Sequence, residues 1–244
     1  MNAPRSPLQV KVKPFSVPLL FLHEHRKKKL WGCGGTALLW QTVVGRFLVG
    51  AAHVWLELVK QRDARSGRMS ICAGMGERVV SLLEAEPVDL NEELDLVVLR
   101  APPESEERMG KRAFYRTNTW PLPPARDGET VGALGYPGEL RTPAGFRIET
   151  NSFYYENTCA VSARGMLIGA FQAEPPDIVV HVDHPVEPVR NFGGMSGAPV
   201  FTLRDGQPVW VGVLKRGAEC SGIEAGLQAT PCHFIQADGT IRAP

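Results

Sequence analysis

The chain has 244 residues, 43% of them hydrophobic, so it is long enough to bury a core as one large β domain or as two small ones. Its 25 glycines and 20 prolines indicate many turns. A formal net charge of +1 gives no reason to expect a nucleic acid or a membrane surface as a partner. No apolar run approaches the roughly 18–20 residues that a membrane helix requires.

Short strands are predicted throughout the first half of the chain. Residues 1–16 contain three prolines and are expected to form an irregular N-terminal arm. Apolar runs separated by polar turns follow it. Strands are predicted over residues 17–25, 35–40 and 45–50 and within 69–83, with one or two helical turns at 54–60.

His53 follows the third of these strands, at the end of the run GTALLWQTVVGRFLVGAAHV. A lone histidine is more often structural, but none of the other five histidines has a comparable sequence context. His181 and His184 could suggest a metal pair, yet no carboxylate or cysteine stands at a convincing ligand spacing, so no metal is expected. His53 is therefore the candidate general base.

One acid interrupts the apolar segment ELDLVVL at residues 93–99. Asp95 is predicted to lie within this strand, where a buried carboxylate costs several kcal/mol unless it is hydrogen-bonded or paired. An imidazole N–H would satisfy the carboxylate and would fix the tautomer of the ring. Asp89 and Glu92 are rivals, but both precede the apolar run, where exposed acids are expected.

The second half of the chain begins after a segment rich in proline and charge. Residues 101–130 show little periodicity and are predicted to be a linker. The Asp205-Gly206 pair further along is a strong hairpin signal. Strands are predicted over residues 130–138, ending in a GYPG turn, within 146–163, and over 178–182, 200–203, 208–214 and 226–231.

Among these strands, residues 190–201 have the sequence RNFGGMSGAPVF. Ser196 is predicted to be a nucleophile in a tight turn, because the two preceding glycines let backbone amides point at one spot. An oxyanion hole needs that arrangement, since its donors must face the oxygen on which negative charge develops. The alternative for this motif alone is a plain surface turn.

Together these motifs resemble those of the trypsin/chymotrypsin-like (PA clan) serine proteases, in particular the bacterial cytosolic trypsin-like peptidases. The serine lies in a G-x-S-G-x-P turn, the histidine in a G-T-A…A-A-H segment, and the aspartate in a segment similar to D-I-A-L-L. The GYPG turn and the G-x-x-A-x-P strand at 226–231 match bacterial members. The chain order histidine, aspartate, serine is the one that this family uses.

The resemblance implies an all-β fold of two six-stranded antiparallel β-barrels, with the active site in the cleft between them. The first barrel would carry the histidine and the aspartate, and the second would carry the serine. The implied division is an N-terminal arm at 1–16, a first barrel at 17–118 and a second barrel at 119–244.

The resemblance also implies roles for the site residues. Ser196 attacks a peptide carbonyl, His53 takes and returns its proton, and Asp95 orients the imidazolium. The backbone amides of Gly194 and Ser196 receive the oxyanion, and no cofactor is expected. Met195 departs from the family, whose members often carry an aspartate or asparagine there. Methionine is only a weak acceptor, so the sequence does not indicate what fixes the turn.

A substrate pocket near the serine is implied as well. Because arginine binds carboxylates in bidentate fashion, we expect an acidic residue before the scissile bond. The alternative is that the basic side chains point to solvent. The residues assigned to the pocket are Arg190, Leu214, Lys215, Arg216, Gly217 and Gly226.

The five cysteines indicate the compartment. Their number is odd and no two form a CxxC pair, so neither a disulfide framework nor a zinc ribbon is indicated. We therefore expect reduced thiols and a cytoplasmic protein. The cysteines are Cys33, Cys72, Cys159, Cys220 and Cys232.

The favoured function is a serine endopeptidase acting on a protein or peptide, serving regulated processing or defence, with a regulatory protein as a further partner. Two other classes stay open. The first is a catalytically inactive homologue that binds a peptide in the cleft. The second is an esterase or other acyl hydrolase, which shares the chemistry, but the chain order argues against it because such enzymes usually have the serine first.

Overall fold

The structure is a computed structural model that describes residues 6–25, 28–64, 69–75, 78–115, 121, 123–144, 147–150, 152–161, 165–168, 181–182, 193–217 and 227–242. Within these residues the chain is mostly β and forms two large sheets, which confirms the predicted all-β class. The α-helices of the described residues are α1 (Pro7–Val12), α2 (Ala52–Ala64) and α3 (Ser105–Met109).

The first sheet is built from the N-terminal half of the chain. Its strands are β1 (Ser16–His25), β2 (Lys28–Gln41), β3 (Arg46–Gly50), β4 (Met69–Met75), β5 (Arg78–Ser81), β6 (Pro87–Asn91), β7 (Leu96–Arg100) and β8 (Phe114–Tyr115). Seven of them form an antiparallel row in the order β5-β4-β1-β2-β3-β7-β6, and β8 pairs with β2 in parallel. The strands predicted for this half are present, and α2 is longer than expected.

The second sheet is built from the C-terminal half. Its strands are β9 (Thr130–Gly135), β12 (Phe153–Val161), β13 (Met166–Ile168), β14 (His181–Val182), β15 (Pro199–Arg204), β16 (Gln207–Gly217) and β17 (Leu227–Pro231), and β10 (Arg141–Ala144) and β11 (Arg147–Thr150) form a separate hairpin. Six strands close into a barrel in the order β13-β17-β16-β15-β9-β12, because β12 also pairs with β13. The predicted hairpin at Asp205-Gly206 joins β15 to β16, with positive φ values of 52° and 70°.

Central strands of both sheets are apolar on both faces. In β7, Val97 belongs to the core of the first sheet, whereas its neighbour Val98 belongs to a different cluster. In β16, Val211 lies in the core of the second sheet and Trp210 in that same different cluster. This cluster takes residues from both sheets, so it forms an apolar intersheet layer. A strand buried on both faces needs no hydrophobic alternation, which explains the continuous run LVVL.

Aromatic rings fill much of the intersheet layer. The ring centroids of Trp40 in the first sheet and Trp210 in the second lie 5.5 Å apart. Phe114 meets Phe201 edge-on at 5.1 Å. Rings of this size each bury roughly 150–250 Å² and dominate the energetics of a core. The layer therefore fixes how the two sheets lie against each other.

The sequence predicts an irregular N-terminal arm, but part of this arm is helical. The Ser6 hydroxyl accepts a hydrogen bond from the Leu8 amide (3.3 Å) and caps α1, while Pro7 occupies a first-turn position that needs no N–H. Leu8 and Val12 are buried in the intersheet layer. The prediction is wrong for residues 7–12, because proline can begin a helix as well as break one.

Two further predictions are corrected. Asp95 lies in the turn at 92–95 that precedes β7, not within a strand. Its φ is 56°, a left-handed value that aspartate tolerates better than most residues because its short side chain can hydrogen-bond locally. The predicted linker at 101–130 contains α3 and β8. Elements of five and two residues leave too little periodicity to detect in a sequence.

No helix among the described residues is long and apolar enough to span a membrane. The same residues contain no group of three or more His, Cys, Asp or Glu side chains placed to hold a metal ion. Cys72, Cys159 and Cys232 are buried free thiols, and burial raises the pKa of Cys72 and Cys159. Cys220 and His184 lie outside the described residues.

We predict that Leu8→Ala lowers the free energy of unfolding by about 2–5 kcal/mol, the usual cost of truncating a buried leucine. Val10→Ala is the matched control, because Val10 lies on the same helix but is 57% exposed. Its effect should stay within about 0.5 kcal/mol. Urea unfolding of the two variants measures both values. Equal losses would show that α1 does not pack into the intersheet layer.

Candidate active site

His53 lies where the first sheet meets α2. β3 ends at Gly50, and α2 begins at Ala52, whose amide donates to the Asp95 carbonyl at 3.3 Å. Ala51 and Ala52 are fully buried, so the start of the helix is held against the sheet. The His53 side chain, by contrast, is 48% exposed. A rigid strand end and a helix thus present this ring at the surface.

The Asp95 carboxylate contacts His53 at two groups. The ring Nδ1 lies 2.8 Å from Oδ2 and 3.0 Å from Oδ1, and the backbone N–H of His53 donates to Oδ1 at 2.9 Å. An ionised carboxylate only accepts, so it favours the tautomer with the proton on Nδ1 and leaves Nε2 as an acceptor. The Asp95 side chain is only 14% exposed, which shields the interaction from water.

The turn that presents Asp95 is hydrogen-bonded from both sheets. On its own sheet, Asn91 Oδ1 accepts from the Leu94 amide (2.8 Å), and the Asp95 amide donates to the Glu92 carbonyl (3.2 Å). From the second sheet, the hydroxyl of Thr230 in β17 donates to the Leu94 carbonyl (2.6 Å). Such surrounding bonds are what hold a residue at an unfavourable φ.

Ser196 lies in a tight turn that leads into β15. Gly194 and Gly197 have φ values of 97° and 85°, which residues with a Cβ rarely adopt, so the backbone requires glycine at both positions. The Gly197 amide donates to the Leu214 carbonyl (2.7 Å), and the Leu214 amide donates to the Ala198 carbonyl (2.9 Å). The turn has the glycine support that the sequence predicts.

The same turn contacts the first sheet through Thr36. The Thr36 amide donates to the Ser196 carbonyl (2.8 Å), and the Thr36 hydroxyl donates to the Gly194 carbonyl (2.9 Å). A Cβ on Gly197 would lie 3.0 Å from the backbone nitrogen of Ala51, two residues before the candidate base. The serine turn and the histidine segment are therefore in backbone contact.

No hydrogen bond joins the side chains of Ser196 and His53 in the part of the chain that the structure describes. The Ser196 hydroxyl makes no hydrogen bond with any residue that the structure describes, and the bonds of the His53 ring go to Asp95. Hydrogen bonds between a nucleophile and its base are often long before the substrate binds and tighten in the complex. The structure thus bonds His53 to Asp95 and places the backbone of the serine turn against the segment that precedes His53.

The amides of Gly194 and Ser196 donate to none of the described residues. The carbonyl preceding Gly194 accepts from the Gly138 amide (2.7 Å), and the carbonyl preceding Ser196 accepts from the Ala198 amide (2.8 Å). In a planar trans peptide the C=O and the N–H point in opposite directions, so these bonds fix both amides. Two oriented donors without a partner can receive an anionic oxygen.

Met195 shows how the turn is fixed without an acid at this position. Its side chain is fully buried in the core of the second sheet. A Cβ added to Gly135 would lie 2.6 Å from Met195 Sδ and 3.0 Å from Thr36 Oγ1, so a side chain there would displace the methionine thioether. Apolar packing of the Met195 side chain in the core of the second sheet therefore holds the serine turn in place.

Sequence reasoning missed Thr36, Gly135 and Thr230. The first is the middle residue of the GTA segment, which served only to identify the histidine, and the third stands in the G-x-x-A-x-P strand. Thr36 and Thr230 therefore stand in segments that the sequence already singles out. Nothing in the pattern of either segment indicates that its hydroxyl bonds a carbonyl of the opposite sheet.

The predicted substrate pocket is described only in part. Arg190 and Gly226 lie outside the described residues. Leu214 is fully buried in the core of the second sheet, and the Lys215 ammonium donates to the Glu93 carbonyl of the first sheet at 3.3 Å. The pocket and its preference for an acidic residue stay predictions.

We predict that Met195→Asp destabilises the protein by several kcal/mol. The carboxylate would enter the apolar slot that the Met195 side chain now fills, and it would have no partner there. Met195→Leu, which nearly conserves volume, should cost less than about 1.5 kcal/mol. Thermal and urea unfolding measure both effects. An aspartate variant as stable as the leucine variant would mean that the slot holds a counter-charge.

No protein-family model matches the sequence, and no curated protein matches it. Solved structures do. A thermostable serine protease, AL20, from an extremophilic microorganism is 14% identical over 89% of this chain and 91% of that one, with a TM-score of 0.48. The serine protease domain of the Sesbania mosaic virus polyprotein is 14% identical over 93% of both chains, with a TM-score of 0.46. At this identity, the similarity is one of fold.

Proposed function

We propose that the protein is a serine endopeptidase in which Ser196 is the nucleophile, His53 the general base and Asp95 the residue that orients it. The observation that carries the proposal is the carboxylate of Asp95, which binds both the ring and the backbone amide of His53. This double contact leaves Nε2 free on a half-exposed ring. A purely structural histidine would need neither the exposure nor the free nitrogen.

The chemistry proceeds in two halves. As the Ser196 oxygen bonds to the peptide carbonyl carbon, its proton passes to His53 Nε2, and Asp95 stabilises the imidazolium. The C–N bond then breaks, and His53 gives the proton to the leaving amine. A water molecule next attacks the acyl-enzyme, losing a proton to His53, and the released serine oxygen takes that proton back.

The amides of Gly194 and Ser196 are proposed to stabilise the tetrahedral oxyanion in both halves. Support comes from the hydrogen bonds that Gly138 and Ala198 donate to the neighbouring carbonyls, which orient the two amides before substrate arrives. Donors that need no reorganisation contribute the most to catalysis. We propose that the hole exists in the free enzyme.

A catalytically inactive homologue that binds a peptide is the second candidate. The observation that favours it is the missing hydrogen bond between the Ser196 hydroxyl and His53 within the described residues. Fluorophosphonate labelling separates the two, because only an activated serine reacts.

The proposed protease is expected to be cytoplasmic, to cleave a protein or peptide and to have a regulatory protein partner. A dedicated target in processing or defence is part of the same proposal.

We expect Ser196→Ala and His53→Ala each to lower kcat by about 10⁴-fold or more on a peptide substrate, and Asp95→Asn by about 10⁴-fold. Each side chain acts in the chemistry, so circular dichroism spectra should remain those of the wild type. Ser81→Ala is the control, since Ser81 is an exposed serine in β5. Near-wild-type hydrolysis by Ser196→Ala would exclude this residue as the nucleophile.

Cleavage is expected to follow acidic residues, on the proposal that Arg190, Lys215 and Arg216 provide a basic pocket. A peptide library digested with the wild type and analysed by mass spectrometry measures the preference. Lys215→Met should weaken it by raising KM for acidic peptides. Cleavage that instead follows lysine, arginine or large apolar residues would contradict the basic pocket.

A further inference from the structure

Two buried threonines each bond a backbone carbonyl of the opposite sheet, next to the candidate active site. Thr36 of β2 is fully buried and donates its hydroxyl to the Gly194 carbonyl (2.9 Å). Thr230 of β17 is also fully buried and donates its hydroxyl to the Leu94 carbonyl (2.6 Å). Each hydroxyl thus reaches the turn that presents a candidate catalytic residue of the other sheet.

We propose that Thr36 and Thr230 are positioning residues that set the serine turn and the aspartate turn in register across the intersheet layer. This inference rests on the proposed function, because it concerns how the same site is assembled. The exchange is reciprocal: the first sheet fixes the nucleophile of the second, and the second sheet fixes the aspartate of the first.

Thr36 acts on the peptide that lies between the two proposed oxyanion donors. The Gly194 carbonyl belongs to the peptide unit that joins Gly194 to Met195, and rotation of this unit would displace both flanking amides. The Thr36 hydroxyl is the side-chain group bonded to that carbonyl, and it accepts in turn from the Tyr136 amide (3.1 Å). Its donor direction is therefore fixed.

Thr230 acts on the direction of the Asp95 carboxylate. The Leu94 carbonyl belongs to the peptide unit that ends at the Asp95 nitrogen, where the chain takes its positive φ of 56°. Rotation of that peptide would swing the carboxylate away from His53. Without the hydroxyl, the carbonyl would also lose its partner in a buried place.

A third threonine provides a matched control. Thr202 of β15 is 1% exposed, and its hydroxyl donates to the Thr130 carbonyl at 2.9 Å. This bond joins two strands of the second sheet instead of crossing between the sheets. Thr202→Val deletes the same chemical group from an equally buried threonine, although its bond is only partly buried. It therefore measures the effect of losing a threonine hydroxyl bond without displacing either candidate turn.

The test compares kcat and KM of Thr36→Val, Thr230→Val and Thr202→Val on one peptide substrate. We expect kcat to fall about tenfold to a hundredfold for the first two, with little change in KM, since small misplacements of catalytic groups act on the chemical step. Thr202→Val should stay within about twofold of the wild type. Thr36→Ser and Thr230→Ser keep the hydroxyl and should retain most of the activity.

The split between kcat and KM, together with rescue by serine at the same position, separates a positioning role from a merely structural one. If a valine variant does not fold, the alanine variant replaces it, since alanine removes the hydroxyl without adding bulk.

Different results would overturn the proposed function and the positioning roles of the two threonines. Equal fluorophosphonate labelling of the wild type and Ser196→Ala would overturn the proposed function, and with it any catalytic role of the two threonines. If the wild type is labelled and both threonine variants lose no more activity than Thr202→Val, the positioning roles are overturned. Serine variants no more active than the valine variants would overturn them too, since the hydroxyl would then have no part.

Discussion

The apolar layer between the two sheets is the constraint on which the rest of the structure depends. The candidate site is divided, with His53 and Asp95 on the first sheet and Ser196 on the second. Catalysis by such a group requires the parts to be held to within a fraction of an ångström. Only a rigid contact between the sheets can supply that precision. The packing of Trp40 against Trp210 is one part of that contact.

Polar groups add direction to this non-directional packing. Hydrophobic burial fixes the distance between two surfaces but tolerates sliding, whereas a hydrogen bond fixes an orientation. The Ser16 hydroxyl donates to the Leu134 carbonyl of the second sheet (2.8 Å). Thr36 and Thr230 likewise donate to carbonyls of the turns that carry Ser196 and Asp95. The register of the sheets is therefore set at more than one place.

Much of this arrangement can be predicted from the sequence, and the remainder fails for identifiable reasons. The strands are found because apolar runs and turn residues are local signals, and His53 and Ser196 stand in recognisable segments. α1 is missed because Pro7 suggests a break, although after a Ser6 cap it favours a helix start. Asp95 is assigned to a strand because the apolar run does not reveal a left-handed turn before it.

The contacts between the two sheets cannot be predicted from the sequence in this way, because the residues that form them are distant in the chain. The bond from Thr36 to Gly194 spans 158 residues, and that from Thr230 to Leu94 spans 136. Both acceptors are main-chain carbonyls, which any residue offers, so no residue type at the acceptor position marks the pair. A single sequence can therefore indicate the candidate residues but not the bonds that join the two sheets beside them.

The buried Met195 bears on how the proposed activity would be controlled. In the secreted trypsins of the family that the motifs resemble, a newly freed N-terminal ammonium pairs with an acid before the serine and orders the turn. Here the slot beside Gly135 is filled by a methionine side chain, so an ammonium entering it would lose its hydration without gaining a carboxylate. The turn is instead ordered by neutral bonds to Thr36, Gly138 and Leu214. These bonds form on folding and need no cleavage of the chain.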